Sequence, residues 1–414
     1  MDGADHEWFS RLMAIHGICD ARYAEVQDEF ERNFEERGEV GASVCVTVDG
    51  ETVVDLWGGT ADPVTGAEWR QDTIGHVWSC TKGATALCAH ILASRGDLDL
   101  NVPVVKYWPE FAAKGKDAIL VRHLLTHTAG LPALREPLPD GAFYDFAAMA
   151  GRLADEEPFW EPGTRQGYHA LTFGFLVGEV IRRVGGRTLG TFFRDEVAGP
   201  LGLDFWIGLP QEYEERVAPT IPAPPPAPGA PMPTLYRNAF GDPSSIAALV
   251  IGNTGGYLTP GESDSRAAHA AEMGAVGAIT NGRGLAGMYR PLALGGGLVS
   301  PDQTAVMASV AAATQSDAVL SVPTRWAMGF VKGTDNGHLR GPDAEGVLLS
   351  EDAFGHSGMG GSLGFADPVP RLSFGYSMNL QGPGLGVNER GQALMNAVYR
   401  TLGYRQAYGG LWYL

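Results

Sequence analysis

The chain has 414 residues, of which 44% are hydrophobic and 19% charged, as is typical of a folded globular protein large enough for two lobes. Its formal net charge of −18 argues against nucleic acid and anionic membranes as partners, because both attract basic surfaces. No apolar run reaches the roughly 18–20 residues that span a bilayer. The acidic start MDGADHEWF lacks the features of a secretory signal, so we expect a cytoplasmic protein.

Strand patterns occur near both ends of the sequence. After a helical pattern at 21–37, two β-branched runs flank the Asp-Gly pair at 49–50, which is a strong hairpin signal. Near the other end, RWAMGFV, FGHSGMGGSLGFAD and RLSFGYSMNL predict three strands, followed by a helix around 388–402. We therefore predict an antiparallel sheet of five or more strands, assembled from both ends of the chain and flanked by the terminal helices.

The middle of the chain is rich in helix signals and is broken by glycine and proline. This predicts an α/β sheet lobe from residues 1–75 and 311–414 and a helical lobe from 76–310, with a binding cleft between them. Residues 221–234, IPAPPPAPGAPMPT, hold seven prolines and cannot form a helix. They form either an extended surface connector or a semi-rigid flap over the cleft.

The first candidate for chemistry is SCTK at 79–82. Lys82 is one of only five lysines in the chain, and Ser79 stands where an extended stretch becomes a helix of small residues. A serine hydroxyl at a helix N-terminus lies beside unpaired backbone N–H groups. A buried Lys82 one turn later would have a lowered pKa and could take the serine proton. The alternative is an N-capping serine beside a lysine that extends to solvent.

Two further segments point to the same chemistry. Tyr168 follows a Pro-Gly turn just before a long apolar helix, where a phenol could act as general base or proton relay. The alternative is a core tyrosine. The segment GHSGMG at 355–360 does not match the G-x-S-x-G elbow of α/β-hydrolases, because its fifth position is Met359. It predicts instead a glycine-rich strand edge that presents backbone N–H groups to an oxyanion.

The sequence gives little support for a metal or cofactor. His123 and His127 have the spacing of a helical zinc pair, but the glutamate of H-E-x-x-H and a third ligand are missing. Neither a phosphate-binding loop nor a dinucleotide-binding glycine pattern occurs. Cys80 and Cys88 lie on one predicted helix, too far apart to form a disulfide. We predict no metal, no organic cofactor and reduced thiols.

Together the motifs resemble those of the serine β-lactamase and penicillin-binding-protein-like superfamily, and more closely its class C-like esterases and transacylases (family VIII carboxylesterases and their kin). Four motifs in the family's order carry the resemblance: SCTK at 79–82, LLTHTAGLP at 124–132, PGTRQGYHA at 162–170 and HSG at 356–358. The resemblance extends over roughly residues 20–405. It implies a β-lactamase-like α/β fold with the active site in the cleft between sheet lobe and helical lobe.

The resemblance also implies roles for individual residues. Ser79 is expected to be the acylated nucleophile, with Lys82 as its partner and Tyr168 as the proton-relay phenol, and whether Lys82 or Tyr168 is the base stays open. The expected oxyanion hole consists of the backbone N–H groups of Ser79 and Met359. The expected substrate-binding residues are those of the HSG strand and two neighbours of the catalytic side chains: His356, Ser357, Gly358, Trp78 and His169.

Two departures from the family pattern bear on the substrate. Ala170 replaces the Asn of Tyr-x-Asn and His356 replaces the Lys of Lys-Thr-Gly, and both lost residues help family members to hold anionic, peptide-like substrates. We therefore predict a serine carboxylesterase for small to medium acyl esters, in which His356 hydrogen-bonds the ester or polarises the leaving group.

Three alternatives remain. The nearest is a transacylase that passes the acyl group from a small-molecule donor to an alcohol or amine, with an acceptor pocket formed by 221–234 and 235–240 (LYRNAF). A β-lactamase or D-Ala-D-Ala peptidase is less favoured, because both anion-binding positions are altered. A non-enzymatic binding module is least favoured, because Ser79, Lys82 and Tyr168 are all present.

Overall fold

A large antiparallel sheet joins the two ends of the chain. The computed structural model describes residues 14–339, 341–406 and 410–414. The strands of the large sheet, numbered in chain order, are Ile15–Cys19 (β1), Gly41–Val48 (β2), Glu51–Asp62 (β3), Ala67–Glu68 (β4), Ala312–Thr314 (β5), Thr324–Trp326 (β6), Val331–Lys332 (β7), Phe354–Ser357 (β8), Leu363–Asp367 (β9) and Leu372–Met378 (β10). Their spatial order is β1-β3-β2-β10-β9-β8-β7-β6-β5, with β4 paired to β3.

The pairing of β2 with two different partners explains how the ends of the chain meet. Strands β2 and β3 form the predicted hairpin, in which Val46 lies opposite Val54. On its other side β2 pairs with β10, where Val44 lies opposite Tyr376. The antiparallel sheet built from both ends and the β-lactamase-like α/β fold class are therefore confirmed.

Two of the three single strands predicted near the C-terminal end are wrong, because each of these segments folds into a pair of strands. FGHSGMGGSLGFAD folds into the antiparallel pair β8 and β9, because Gly360 and Gly361 adopt φ values of +83° and +122° in the turn between them. RWAMGFV also splits, into β6 and β7, around Gly329 at φ +87°. Glycine at these positions permits turns that a β-branched residue would disfavour.

Helices cover both faces of the sheet and fill the region beside it. In chain order they are Ala24–Glu36 (α1), Cys80–Ser94 (α2), Val121–Leu125 (α3), Phe146–Asp155 (α4), Thr172–Gly185 (α5), Leu189–Phe193 (α6), Gly199–Leu201 (α7), Thr234–Gly241 (α8), Ile246–Gly252 (α9), Arg266–Ala270 (α10), Gly282–Ala293 (α11), Pro301–Ala308 (α12) and Glu389–Thr401 (α13). Helices α1 and α13 pack on one sheet face and α11 on the other. The terminal helices predicted at 21–37 and 388–402 are thus confirmed as α1 and α13.

The short elements connect these helices and strands. One-turn or irregular helical segments lie at Ala21–Tyr23, Val104–Lys106, Pro109–Gly115, Ala142–Tyr144, Arg194–Ala198, Gln211–Arg216, Glu262–Asp264 and Gly341–Ala344. A small four-stranded sheet contains Phe205–Ile207, Ala278–Thr280, Ile74–His76 and Val217–Ala218, in that spatial order. A two-stranded pair near the C-terminal end consists of Arg405–Gln406 and Trp412–Tyr413.

Helix α2 lies at the centre of the helix-rich region. It packs mainly against α5 and is buried along nearly its whole length, which its small residues permit. At Gly83 an added Cβ would lie only 2.2 Å from the Tyr289 hydroxyl, so this turn of α2 requires glycine. The two-lobe division stays a prediction. Helix α11, which that division assigns to the helical lobe, packs on β9 and β10 of the sheet.

The remaining sequence signals have the following places in the fold. His123 lies in α3, but His127 follows its end at φ +59°, so the two histidines do not share a helix face. All four cysteines are free thiols. Ile221 forms a bridge with Leu380, and the proline-rich residues after it adopt neither helix nor strand. Within the described ranges, no helix is both long and apolar enough to cross a bilayer.

Candidate active site

Ser79 lies directly before α2, at the end of a tight turn that leaves the strand Ile74–His76. Trp78 adopts φ +48° in this turn, an uncommon left-handed conformation for a bulky residue and one that is frequent at functional sites. The Ser79 side chain makes no capping hydrogen bond to α2, although the helix begins with the next residue. The alternative of a simple N-capping serine therefore does not hold.

Lys82 lies one helical turn after Ser79 and is completely buried. Its Nζ is 3.0 Å from Ser79 Oγ, and it also donates to the carbonyl oxygens of Ala170 at 2.7 Å and Ala275 at 2.9 Å. Burial holds the pKa of Lys82 well below its ordinary value. In the part of the chain that the structure describes, no carboxylate forms an ion pair with this amine. A lysine that extends to solvent is thus excluded.

Tyr168 completes a three-residue centre. Its hydroxyl donates to Ser79 Oγ at 2.9 Å, and its ring stacks on Trp326 with a centroid distance of 5.2 Å. The Tyr168 backbone N–H donates to Asp317 Oδ1 at 3.0 Å, and that oxygen also accepts from two further backbone N–H groups. Burial raises the pKa of the Tyr168 phenol above its ordinary value, so the phenol keeps its proton at neutral pH.

The turn between β8 and β9 approaches the start of α2 closely. A Cβ added to Gly358 would lie 2.2 Å from the Val77 carbonyl oxygen, and Ser362 Oγ donates to that same oxygen at 2.9 Å. Among the described residues, the backbone N–H groups of Ser79 and Met359 have no hydrogen-bond acceptor. One unpaired donor thus belongs to Ser79 itself and the other to the turn that packs against the start of α2, and the expected oxyanion hole stays a prediction.

His356 lies on β8 and is 3% exposed. Its Nδ1 is 2.7 Å from the carbonyl oxygen of Ser357, whereas its Nε2 is buried without a partner. Burial lowers the pKa of His356 to about 3, with a smaller contribution from Lys82. The imidazole is therefore neutral at pH 7, and no cation stands where the family pattern has a lysine.

Trp78 and His169, the two further binding candidates, are buried beside the centre. The Trp78 ring packs against the His76 ring in a tilted arrangement, at a centroid distance of 4.2 Å. Both ring nitrogens of His169 bond to the backbone: Nε2 accepts from Leu131 N at 3.0 Å, and Nδ1 lies 2.7 Å from Gly167 O. Neither side chain lines the cavity that begins at Tyr168, so a role in substrate binding stays a prediction for both.

That cavity is open to solvent, and its empty space of about 960 Å³ includes the solvent at its mouth. Tyr168, whose hydroxyl bonds to Ser79 Oγ, lies in its wall together with His356 and Ser357, whereas Ser79 is not among the lining residues. Much of the remaining wall is apolar and comes from separate parts of the chain, including Pro233, Leu235, Tyr236, Leu320, Trp326 and Val331. The proline-rich segment and the following LYRNAF segment thus contribute to the cavity.

Sequence reasoning missed several residues around the centre. Trp326 stacks on Tyr168, and Asp317 anchors the Tyr168 backbone, although neither belongs to a recognisable motif. Two carboxyl groups, Asp343 and Glu345, also line the cavity. Asp343 Oδ2 accepts from the Thr234 hydroxyl at 2.6 Å at the start of α8, and burial raises the pKa of Glu345.

Comparison with known proteins identifies the family. The family model described as Beta-lactamase matches residues 27–398. The chain belongs to the beta-lactamase family. This confirms the resemblance found in the sequence, and the protein is an enzyme of the beta-lactamase-like serine hydrolases.

Within the beta-lactamase family, several relatives match nearly the full length of this chain. Esterase/beta-lactamase LipL of Mycobacterium tuberculosis is 32% identical over 371 residues, covering 87% of this chain and 82% of LipL. A solved structure of a family VIII carboxylesterase is 38% identical with a TM-score of 0.83, covering 94% of this chain and 100% of its own. A penicillin-binding protein homologue from Caulobacter crescentus is 33% identical with a TM-score of 0.81, at the same coverage.

Proposed function

We propose that this member of the beta-lactamase family is a serine carboxylesterase that cleaves esters of small to medium acyl chains through a Ser79 acyl-enzyme. The main observation in support is that Ser79 Oγ lies within hydrogen-bond distance of both Lys82 Nζ, at 3.0 Å, and the Tyr168 hydroxyl, at 2.9 Å. A hydroxyl held by a base and a second proton carrier is the arrangement of an activated nucleophile. The esterase names of LipL and of the family VIII structure support the proposal.

Lys82 is the better candidate for the base. A neutral amine has two N–H groups and one lone pair, and the carbonyl oxygens of Ala170 and Ala275 account for both N–H groups. The lone pair is then directed at Ser79 Oγ and can accept its proton. The lowered pKa of Lys82 favours this neutral state, whereas the raised pKa of Tyr168 makes its phenol a proton donor.

The reaction then follows in two halves. Ser79 Oγ attacks the ester carbonyl carbon while its proton passes to Lys82, and the unpaired N–H groups of Ser79 and Met359 stabilise the oxyanion. When the carbon–oxygen bond to the alcohol breaks, the leaving alcohol takes a proton from Tyr168. Lys82 then gives Tyr168 the proton that it took from Ser79. Water then attacks the acyl-enzyme, one of its protons returns through the same pair to Ser79 Oγ, and the acid leaves.

The cavity favours an uncharged substrate. His356 is neutral and offers no cation to a carboxylate in place of the family's Lys. Ala170 has no amide to bind an acylamido side chain in place of the family's Asn. The remaining cavity wall is largely apolar, and Trp326 and Leu320 can pack against an acyl chain. We therefore expect neutral esters to be better substrates than β-lactams or peptides that carry a carboxylate.

An acyltransferase is the second candidate function. The cavity extends from Tyr168 and His356 to the LYRNAF segment, and the acceptor would lie in this outer part beside the ester. Leu235 and Tyr236 of the LYRNAF segment form part of this space. The acceptor would be an alcohol or an amine that replaces water in the second half-reaction.

The first test compares p-nitrophenolate release from p-nitrophenyl butyrate by the wild type and by Ser79→Ala. We expect turnover by the wild type and a loss of about 1,000-fold or more in the variant, because the acyl-enzyme cannot form. Ser309→Ala, at an exposed serine, is the matched control and should keep full activity. Equal turnover by Ser79→Ala would contradict the proposal. Product analysis with added alcohol then separates hydrolysis from acyl transfer.

A further inference from the structure

The proline-rich segment is held at each end by a threonine that bonds to an aspartate. At its start the N–H and the hydroxyl of Thr220 both donate to the Asp264 carboxylate, at 3.2 and 3.0 Å. At its end the N–H and the hydroxyl of Thr234 donate to the two carboxylate oxygens of Asp343, at 2.9 and 2.6 Å. Residues 221–233 between them include seven prolines, whose fixed φ angles leave few alternative conformations. The two contacts therefore fix where this stiff segment begins and ends.

Asp343 also stabilises the start of α8. The helix begins at Thr234, and Pro233 before it makes no side-chain capping bond. The Asp343 carboxylate, 109 positions away in the chain, accepts from the first N–H of the helix instead. A carboxylate at a helix start satisfies an unpaired donor and interacts favourably with the helix dipole. The exposed Arg237 donates to the Thr234 hydroxyl as well, but the contact with Asp343 is the one that joins the first turn of α8 to a distant segment.

The first turn of α8 is part of the cavity wall. Leu235 and Tyr236 line the cavity that begins at Tyr168, whereas Thr234 is not among the lining residues. Leu235 is 4% exposed and belongs to an apolar cluster against which Leu320 and Tyr168 pack. An acyl chain that packs against Leu320 thus lies on the same apolar surface as Leu235.

We propose that the contact between Asp343 and Thr234 limits the length of the acyl chain that the cavity accepts. This inference rests on the proposed Ser79 esterase function and names the residues that determine its chain-length preference. The contact holds the first turn of α8 in place, so the wall formed by Leu235 and Tyr236 cannot move away from a longer chain. Each methylene group that finds no apolar surface loses about fourfold in binding. Thr234 acts through the wall and is therefore a positioning residue.

The test compares kcat/KM for p-nitrophenyl octanoate with kcat/KM for p-nitrophenyl butyrate. We expect Thr234→Val, which removes the hydroxyl and keeps the shape, to raise the octanoate-to-butyrate ratio about tenfold, the gain from burying one to two further methylene groups. Thr234→Ser keeps both donors and should keep the wild-type ratio. Asp62→Ala, which removes an equivalent contact with Thr65 in a surface turn, is the matched control and should keep it too. Both rates come from one preparation, so the ratio does not depend on the fraction of folded enzyme.

The outcomes distinguish the two proposals. A wild type that turns over neither ester and forms no acyl adduct on intact-mass analysis overturns the esterase function itself. Turnover with the wild-type ratio in Thr234→Val overturns only the role of the contact. This holds even if Asp343→Ala raises the ratio, because Asp343 lines the cavity and would then act on the substrate directly. A second series varies the alcohol of butyrate esters. If Thr234→Val changes the preference for alcohol length and not for acyl length, the assignment to the acyl chain is overturned.

Discussion

At the scale of single residues, burial disfavours the charged forms of the titratable side chains in the candidate centre. Lys82 is surrounded by backbone carbonyl oxygens, and burial therefore shifts it toward the neutral amine. The same burial shifts Tyr168 toward the neutral phenol and His356 toward the neutral imidazole. Burial thus favours the uncharged form of each of these three side chains, which is the form that the proposed mechanism uses for Lys82 and Tyr168.

This charge state predicts the pH dependence of the reaction. The base must be unprotonated, so kcat/KM should fall as the pH drops through the lowered pKa of Lys82 and should rise to a plateau above it. The raised pKa of Tyr168 keeps the phenol protonated through pH 10, so that plateau should persist there. Initial rates with p-nitrophenyl butyrate, corrected for spontaneous hydrolysis, measure this profile.

A substitution at the same residue provides a second readout. Lys82→Arg introduces a group that does not deprotonate in proteins, so kcat/KM should fall by about 100-fold or more at every pH between 6 and 10. Lys106→Arg, at an exposed lysine, is the matched control and should keep the wild-type profile. A Lys82→Arg variant with near-normal rates would assign the base to another group.

At the scale of elements, two segments far apart in sequence form the proposed oxyanion site. Helix α2 contributes the N–H of Ser79 at its start, and the turn between β8 and β9 contributes that of Met359. Cys80 Sγ, 3.2 Å from the carbonyl oxygen of His356, and Ser362 Oγ, bonded to Val77 O, hold these segments together. The contact is close enough to require glycine at 358.

Gly358→Ala tests this close approach. Its Cβ would lie 2.2 Å from Val77 O, so the turn must move away from the start of α2 and carry the Met359 N–H with it. We expect kcat to fall about 100-fold, the usual cost of losing one oxyanion donor. Gly151→Ala, at a glycine of α4 with open space around it, should keep full activity. Wild-type kcat in Gly358→Ala would show that this contact does not determine the site.

At the scale of the whole molecule, a buried ion pair connects the two ends of the chain. Arg390, at the start of α13, donates to Glu39 Oε1 at 2.8 Å, and the two side chains are 5% and 0% exposed. Tyr376 of β10 donates to the other carboxylate oxygen. Burial raises the pKa of Glu39, so its charge depends on these partners.

Arg390→Met should therefore leave a buried carboxylate without its cation. We expect the free energy of unfolding, measured by urea titration at pH 7, to fall by about 3–5 kcal/mol. The loss should shrink as the pH is lowered, because protonation of Glu39 removes its uncompensated charge. Arg400→Met breaks the exposed pair with Glu25 and should cost at most about 1 kcal/mol. Similar losses in the two variants would contradict a special role for the buried pair.

Local patterns in the sequence were sufficient for much of the fold and for the choice of candidate residues. The Asp-Gly hairpin, the terminal helices and the start of α2 depend on neighbouring residues, whose turn and helix preferences act over a few positions. The order of four motifs led to the family, and the two altered positions indicated a neutral substrate. These inferences required no knowledge of distant contacts.

Only the tertiary structure determined the chemical state of the centre. The two carbonyl oxygens that contact Lys82 belong to Ala170 and Ala275, which lie 88 and 193 positions further along the chain. The carboxylate that accepts from the Tyr168 backbone lies 149 positions from Tyr168. Burial and hydrogen bonding at such separations depend on packing, which a local pattern does not encode. For the same reason, the burial of His356 and the splitting of its predicted strand into β8 and β9 followed only from the folded chain.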